Sequence, residues 1–412
     1  MPAQAGAPVP SPREDTALTD ETPTSRPLRV AMIGHGFMGA AHSQGWRVAP
    51  RFFDLPLAPE MDVVVGRNAA AVAAAAEKWG WRESATDWRE VIARDDIDVV
   101  DIVTPGDTHA EIAIAALEAG KHVLCEKPLA NTVDEAQAMT DAASRAAARG
   151  VRSMVGFTYR RVPAATFARD LVAAGRLGEI RQVRAEYLQD WLMDADAPLT
   201  WRLQKDRAGS GALGDIGAHA VDLVEYITGL KVETVSGILE TIVNERPLMG
   251  EGVGLSGTAL EERGPVTVDD LALFTGRLSS GALASFEATR FRTGRKNALR
   301  IEIAGSLGAV SFDLERMNEL EFYDATLPGT ELGFRRILVT EHDHPYLAPW
   351  WPTGHMLGYE HGFSHQVVDF VNAIAEGSQP EPSFDDGLHI QRVLAAVERS
   401  STAGSAWTPT DS

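Results

Sequence analysis

The sequence predicts an α/β chain of two domains: a doubly wound parallel sheet, then an α+β domain whose sheet is largely antiparallel. Three observations carry this reading. From Leu28 to about Gly156, short apolar runs alternate with longer amphipathic, alanine-rich stretches, the pattern of strand–helix–strand units. A Gly-x-Gly-x-x-Gly run follows the first apolar run directly. After about Pro163, short β-like runs outnumber helical ones, as in a mixed or antiparallel sheet.

Taken in order, Met1 to Pro27 is rich in Pro, Ala, Ser, Thr, Asp and Glu and lacks an apolar stretch. It is expected as a disordered leader, not a secretory signal. Strands are expected at Leu28–Ile33, Met61–Val65, Asp98–Val103, His122–Cys125 and Val151–Val155, with helices at Ala69–Trp79, Thr108–Ala119 and Val133–Ala148. Gly120 and Gly150 each stand where a helix pattern ends just before a strand, the position of a C-cap glycine. Beyond the boundary come a helix at Ala164–Ala174 and strands within 180–192, 232–243, 266–278, 282–291, 299–304 and 309–313. Further helices are expected near 216–228, 363–375 and 387–399. The expected domains are therefore 28–156 and 157–400, with 401–412 as a tail. Leu271-Ala-Leu-Phe274 is apolar on both alternating faces, which suggests a sheet covered by helices on one side and by a partner subunit on the other.

Composition narrows the function. The chain has 412 residues, 44% of them hydrophobic, enough to bury a core without disulfide staples. Its net charge of −20 is opposite to that of a nucleic-acid or anionic-membrane binder, so neither partner is expected. The lone cysteine, Cys125, permits no intrachain disulfide and no four-cysteine zinc site. No apolar run approaches a membrane span. A cytoplasmic protein is expected.

Gly34-His-Gly-Phe-Met-Gly39 carries the first chemistry. Between strand and helix, Gly34 allows the tight turn, Gly36 admits a pyrophosphate to the backbone, and Gly39 lets helix and strand pack. The helix N-terminus adds N–H donors and positive dipole. Phe37 and Met38 complete this expected dinucleotide loop. The second strand ends in Val65-Gly-Arg67, without the acidic residue that would hold a ribose 2′-hydroxyl and favour NAD. Arg67 suits a 2′-phosphate or stacking on adenine, so NAD and NADP both remain open at this point. Glu126-Lys127-Pro128 ends a parallel strand, where ligands of such sheets gather. Lys127 is placed there to move a proton; the bland alternative is a surface ion pair of Glu126. In Ala208–Asp222, glycines precede a helix on which Asp215, His219 and Asp222 share one face at 3.6 residues per turn. A carboxylate beside an imidazole suits a general base, whereas the alternative is a helix cap and a structural histidine. No metal is expected. Between His342 and His365, tryptophans lie among histidines and tyrosines; this is either a stacking surface for a sugar or an apolar interface loop.

Together, the glycine motif, Glu126-Lys127-Pro128 and the Asp215…His219 helix resemble the Gfo/Idh/MocA oxidoreductase family, collinearly from about Leu28 to Arg399. The resemblance implies a Rossmann domain, an α+β domain with an open-faced sheet, and a homodimer or homotetramer built on that sheet. It also implies NAD(P)-dependent, metal-free chemistry at a secondary alcohol of a sugar or cyclitol. By position, Lys127, Asp215 and His219 become the catalytic residues, with His219 as acid/base. Thr104-Pro105 lines the nicotinamide pocket, and His109 and Glu126 join the cofactor site. Gly66-Arg-Asn68, Gln189-Asp-Trp191, Trp201-Arg202 and the late Trp-Trp-Pro…Gly-Tyr-Glu-His stretch resemble the levoglucosan dehydrogenase branch. That narrower likeness implies NAD, oxidation at carbon 3 of a pyranose, and substrate contacts from Gln189, Asp190, Trp201, Arg202, His355 and Tyr359 beside Asp215 and His219. Two rival readings are a non-catalytic sugar sensor of the same fold and an enzyme that uses tightly bound NAD to cleave a glycosidic bond.

Overall fold

The structure is a computed structural model that describes residues 26–253 and 256–411; most of the expected leader lies outside the described residues. The first domain runs β1 (Leu28–Ile33), α1 (Phe37–Phe52), β2 (Pro59–Val65), α2 (Ala69–Trp79), β3 (Glu83–Ala85), α3 (Trp88–Ile92), β4 (Val99–Ile102), α4 (His109–Glu118), β5 (His122–Cys125), α5 (Val133–Ala147) and β6 (Ser153–Val155). Its six strands pair in parallel in the order β3-β2-β1-β4-β5-β6. All four residues of β4 are buried, as expected of a strand covered on both faces. Short β3 and α3 carry no strong periodicity and were not expected. Gly120 and Gly150 do adopt positive φ, 77° and 84°, at their helix ends.

The second domain runs α6 (Pro163–Ala173), β7 (Ile180–Leu188), α7 (Lys205–Ala208), α8 (Ala218–Thr228), β8 (Val232–Glu240), β9 (Glu245–Val253), β10 (Ser256–Pro265), β11 (Leu271–Leu278), β12 (Leu283–Thr289), β13 (Ala298–Gly305), β14 (Gly308–Asp313), β15 (Glu319–Asp324), β16 (Arg335–Leu338), α9 (His361–Glu376), α10 (Phe384–Thr402) and β17 (Thr408–Pro409). Nine strands form one sheet, β16-β15-β14-β13-β7-β12-β11-β8-β17. Every pairing is antiparallel except β12 with β7. Strands β9 and β10 form a separate hairpin.

On β11, Ala272, Phe274 and Leu278 are buried while Leu273 is 42% exposed. Leu273 stands opposite Ile238 of β8, itself 55% exposed. The apolar character on both sides of 271–274 thus resolves into one covered face and one open face. The open-faced, largely antiparallel sheet is as the family likeness implies.

Two expected boundaries are corrected. Helix α9 does not stay with the second sheet. Its Val367, Val368, Phe370 and Val371 join the core of Val30, Met32, Trp46 and Val64 in the first domain. A Cβ on Gly45 would lie 2.8 Å from the Phe363 carbonyl oxygen, so a glycine is what lets α9 lie against α1. The tail is also part of the fold, since Thr408 and Pro409 pair with β8 and cover its edge. Among the described residues, no helix is long and apolar enough to cross a membrane.

Candidate active site

The glycine loop forms at the carboxyl end of β1. Gly34 has φ 113°, and a Cβ there would meet the Val103 carbonyl at 2.8 Å, so only glycine passes between the two strands. A Cβ on Gly39 would meet the Gly34 carbonyl at 2.9 Å, while around Gly36 nothing lies within 4 Å. That open space lies at the N-terminus of α1, where Gly36 provides no side-chain cap. The N–H groups of the first turn, including those of Phe37, Met38 and Gly39, are thus left for an anion, and the cradle fits a dinucleotide pyrophosphate. Arg67 is exposed, with no hydrogen bond or ion pair among the described residues, while Asn68 caps α2 through the Ala71 N–H at 3.0 Å.

The strand ends are braced from below. His42 of α1 donates from Nδ1 to Asp101 (2.9 Å) and from Nε2 to Glu126 (2.9 Å), and the Trp46 indole N–H donates to Asp101 at 2.7 Å. Burial pulls the His42 imidazole down, but the two carboxylates outweigh it and push it up to about 10. Glu126, expected at the cofactor, is 4% exposed and spends its carboxylate on His42 and the Lys127 N–H. His109 likewise turns both ring nitrogens to backbone carbonyls, of Thr104 at 2.9 Å and of Pro128 at 3.1 Å. His109 therefore braces the Thr104-Pro105 loop against the cis Lys127–Pro128 turn, and Glu126 ties that turn to α1 through His42. No sequence signal singled out His42, because its partners lie 59 and 84 residues away.

Above them, Lys127 crosses to the second domain. Its Nζ donates to the Asp215 carbonyl (2.6 Å) and to Asp215 Oδ1 (3.2 Å). The other carboxylate oxygen accepts from Arg290 Nη2 at 2.8 Å. Burial would raise the Asp215 carboxyl, but Lys127, Arg290 and Arg202 outweigh it and hold it well below the usual carboxylate range. His219 is packed among aromatic rings, 4.6 Å from Tyr159 and 5.9 Å from Phe157. Burial and the Lys127 charge, against Asp215, push its imidazole well below its ordinary value. At neutral pH it is uncharged and able to accept a proton.

Among the described residues Asp215 makes no hydrogen bond to His219, the imidazole it was expected to flank and orient. Residues Leu213–Gly217 form a π turn, with the Ala218 N–H bonded to the Leu213 carbonyl, so 3.6-residue spacing fails across Asp215. Asp222 points elsewhere: its oxygens clamp Arg160 at 2.6–3.1 Å, both residues being buried. The start of this segment is fixed by Asp269, which accepts the Gly211 and Leu213 N–H groups at 2.7 Å each.

A polar chain extends from His219's neighbours. The Tyr159 and Tyr187 hydroxyls meet at 2.8 Å, Tyr187 and Gln189 donate to Asn297, and Trp191 donates to Gln189 at 2.9 Å. Trp191 lies 5.5 Å from the Arg290 guanidinium. Trp191 was passed over as a site residue; so was Arg290, which lies 75 residues from Asp215 in sequence. Arg202 lies over Trp201 at 4.4 Å, with no hydrogen bond among the described residues. Tyr359 joins Phe37 and Tyr159, at 6.3 Å and 6.4 Å between rings. Asp190 does not join: Lys296 holds it at 2.8 Å and the Gly294 N–H at 3.1 Å. His355 is exposed and bonded to the Pro352 carbonyl. Trp350 packs with Phe52 of α1 and with Phe53 just beyond it, and donates to His365 at 2.8 Å. Of the two readings of this late stretch, that tryptophan takes the interface one.

This geometry can be set beside known proteins. Residues 28–157 match the family model described as "Oxidoreductase family, NAD-binding Rossmann fold". Residues 166–311 match the "GFO/IDH/MocA C-terminal domain". The chain is 42% identical over 385 residues to levoglucosan dehydrogenase of Pseudarthrobacter phenanthrenivorans, covering 92% of this chain and 97% of that one. The solved structure of an oxidoreductase domain protein from Kribbella flavida is 64% identical, with a TM-score of 0.89 and coverage of 94% and 100%. Levoglucosan dehydrogenase in complex with NADH and levoglucosan is 41% identical, with a TM-score of 0.87 and coverage of 93% and 100%. Two matched domains in order, and a relative this similar over nearly its whole length, establish that the chain belongs to the Gfo/Idh/MocA family of oxidoreductases, with an NAD-binding Rossmann domain at its N-terminal side.

Proposed function

We propose that the protein is an NAD-dependent dehydrogenase that oxidises a secondary hydroxyl, at carbon 3, of a neutral pyranose, anhydropyranose or cyclitol. The observation that carries the reading is the meeting of Lys127 from the first domain with Asp215 of the second, near an uncharged His219. Bound NAD supplies the carbon that accepts hydride. The chain's residues handle the proton. His219 takes it from the hydroxyl as the carbon–hydrogen bond breaks, and the Lys127 ammonium offsets the charge developing on oxygen. Asp215 holds that ammonium in place. Gly34, Gly36 and Gly39 admit the pyrophosphate, and Trp201, Tyr359, Gln189 and Arg202 supply rings and donors for the sugar.

The likeness to levoglucosan dehydrogenase supports both the neutral sugar and NAD over NADP. One observation favours a second reading, a sugar carrying a carboxylate. Arg202 has no hydrogen-bond partner among the described residues, and Asp190, which would have repelled an anion, is neutralised by Lys296. A side-by-side assay of neutral pyranoses, anhydrosugars, inositols, uronic acids and sugar phosphates, with product position assigned by NMR, decides between them. We further read the protein as a cytoplasmic homodimer or homotetramer assembled on the open sheet face around Ile238, Leu273 and Leu283, each at least 42% exposed.

A further inference from the structure

We infer that Arg290 is a positioning residue of the reaction: it fixes the Asp215 carboxylate so that the opposite oxygen holds the Lys127 ammonium at the reacting centre. The inference rests on the reading of Lys127 and Asp215 as the proton-handling pair. Arg290 follows directly on β12 and is 1% exposed. A guanidinium so buried is costly unless its charge is answered. The answer is one-sided, for Nη2 donates to Asp215 Oδ2 at 2.8 Å and to the Gly211 carbonyl at 3.0 Å, while Nε and Nη1 have no hydrogen-bond partner among the described residues. The side chain is thus ill suited to a general packing role and aimed at one carboxylate.

The surroundings make the aim rigid. The Gly211 segment that Arg290 grips is also pinned by Asp269 through two backbone N–H groups. A Cβ on Gly211 would fall 1.7 Å from the Asp269 carbonyl. The Arg290 N–H bonds the Asp270 carbonyl, so Arg290, just after β12, and the Asp269–Asp270 pair, just before β11, flank the paired ends of two neighbouring strands. Trp191 covers the guanidinium at 5.5 Å. The groups that face Asp215 are therefore Lys127, Arg290 and the more distant Arg202. With one oxygen committed to an immobile arginine, the carboxylate cannot rotate, and its free oxygen stays directed at Lys127 Nζ. Among the described residues no hydrogen bond, ion pair or ring contact joins Arg290 to the glycine loop, so pyrophosphate binding should not depend on it.

The test compares wild type with Arg290→Met and Arg290→Lys, by steady-state kinetics normalised to NADH-binding sites and by reductive methylation of Lys127 followed by mass spectrometry. For Arg290→Met, kcat per NADH-binding site should fall about ten- to a hundredfold, with KM for the sugar and Kd for NADH little changed. Lys127, whose ammonium is then no longer held by a fixed carboxylate, should be methylated at least about threefold faster. Arg290→Lys, which restores the charge, should recover part of both. A Met variant that melts lower yet keeps wild-type kcat per site, or methylates Lys127 at the wild-type rate or more slowly, would show a merely structural arginine and overturn the inference. The methylation arm needs no turnover. If the wild type oxidises no sugar, the function fails while the hold of Arg290 on the pair is still read.

Discussion

Replacing Lys127 by alanine is the sharpest test of the site. The side chain is 13% exposed, and its ammonium makes two bonds to Asp215, at 2.6 Å and 3.2 Å. If that ammonium offsets charge on the substrate oxygen, its loss removes transition-state stabilisation of about 10²–10³-fold in kcat, roughly 2.7–4 kcal/mol of barrier. Cofactor affinity should change by much less than tenfold, about 1.4 kcal/mol, because the pyrophosphate cradle is built from the glycines and first-turn N–H groups at Gly34–Gly39 and not from Lys127. The pH profile should shift as well. The Lys127 charge lowers the His219 imidazole, so the variant's imidazole rises. A base works above its pKa, so the variant should lose kcat/KM at higher pH than wild type as the solution is acidified. Stopped-flow reduction of NAD across pH 5–9, with NADH fluorescence titration alongside, reads all three effects. A folded variant with near-wild-type kcat and an unmoved acid limb would remove Lys127 from the chemistry.

Four further outcomes are expected. Arg160→Leu strips Asp222 of its buried partner and should cost about 3–5 kcal/mol in urea unfolding, while kcat of the folded fraction stays near wild type; a large kcat loss would return Asp222 to the site. Wild type should prefer NAD over NADP at least tenfold in kcat/KM, and Arg67→Ala should impair residual NADP activity selectively; an NADP preference would reverse the cofactor assignment. His42 is raised to about 10, so its contribution to stability is complete below the unfolded value near 6.5 and fades as pH climbs through about 10; denaturant midpoints unchanged from pH 6.5 to 10 would contradict the charged clamp. Gly211→Ala drives a methyl into the Asp269 carbonyl and should cost at least about 1–3 kcal/mol together with activity, whereas a wild-type melting temperature would show that the segment can yield.

The first domain was largely legible because its strands are buried runs and its helices are strongly periodic; Ala69–Trp79 and Leu28–Ile33 fall where expected. Illegible elements were short or lacked a clean pattern, such as Glu83–Ala85 and Arg335–Leu338. The return of α9 to the first domain could not be read either, since an apolar stripe does not name the surface that it covers. At the site, motif residues came together where motif and backbone coincide, as at Gly34–Gly39 and Lys127. Helical spacing misled at Asp215 because a π turn intervenes. Asp190 and Trp191, adjacent in sequence, have separate partners, Lys296 for one and Gln189 for the other. Arg290 and His42 owe their roles to partners far along the chain, which local pattern cannot report.

The bond between Lys127 and Asp215 has a consequence for how such proteins can be recombined. Each half of the chain carries one member of the pair, so, with Lys127 and Asp215 acting as proposed, neither half alone holds the complete proton-handling group. On that proposal the arrangement would work as a logical AND, in which chemistry requires both halves docked at the distance that closes this contact. A chimera that joins the first half of this protein to the second half of a relative inherits activity only if the docking surface between them is inherited too, including α9 on α1. Co-expressing residues 1–156 and 157–412 as separate chains would turn dehydrogenase activity into a reporter of their association.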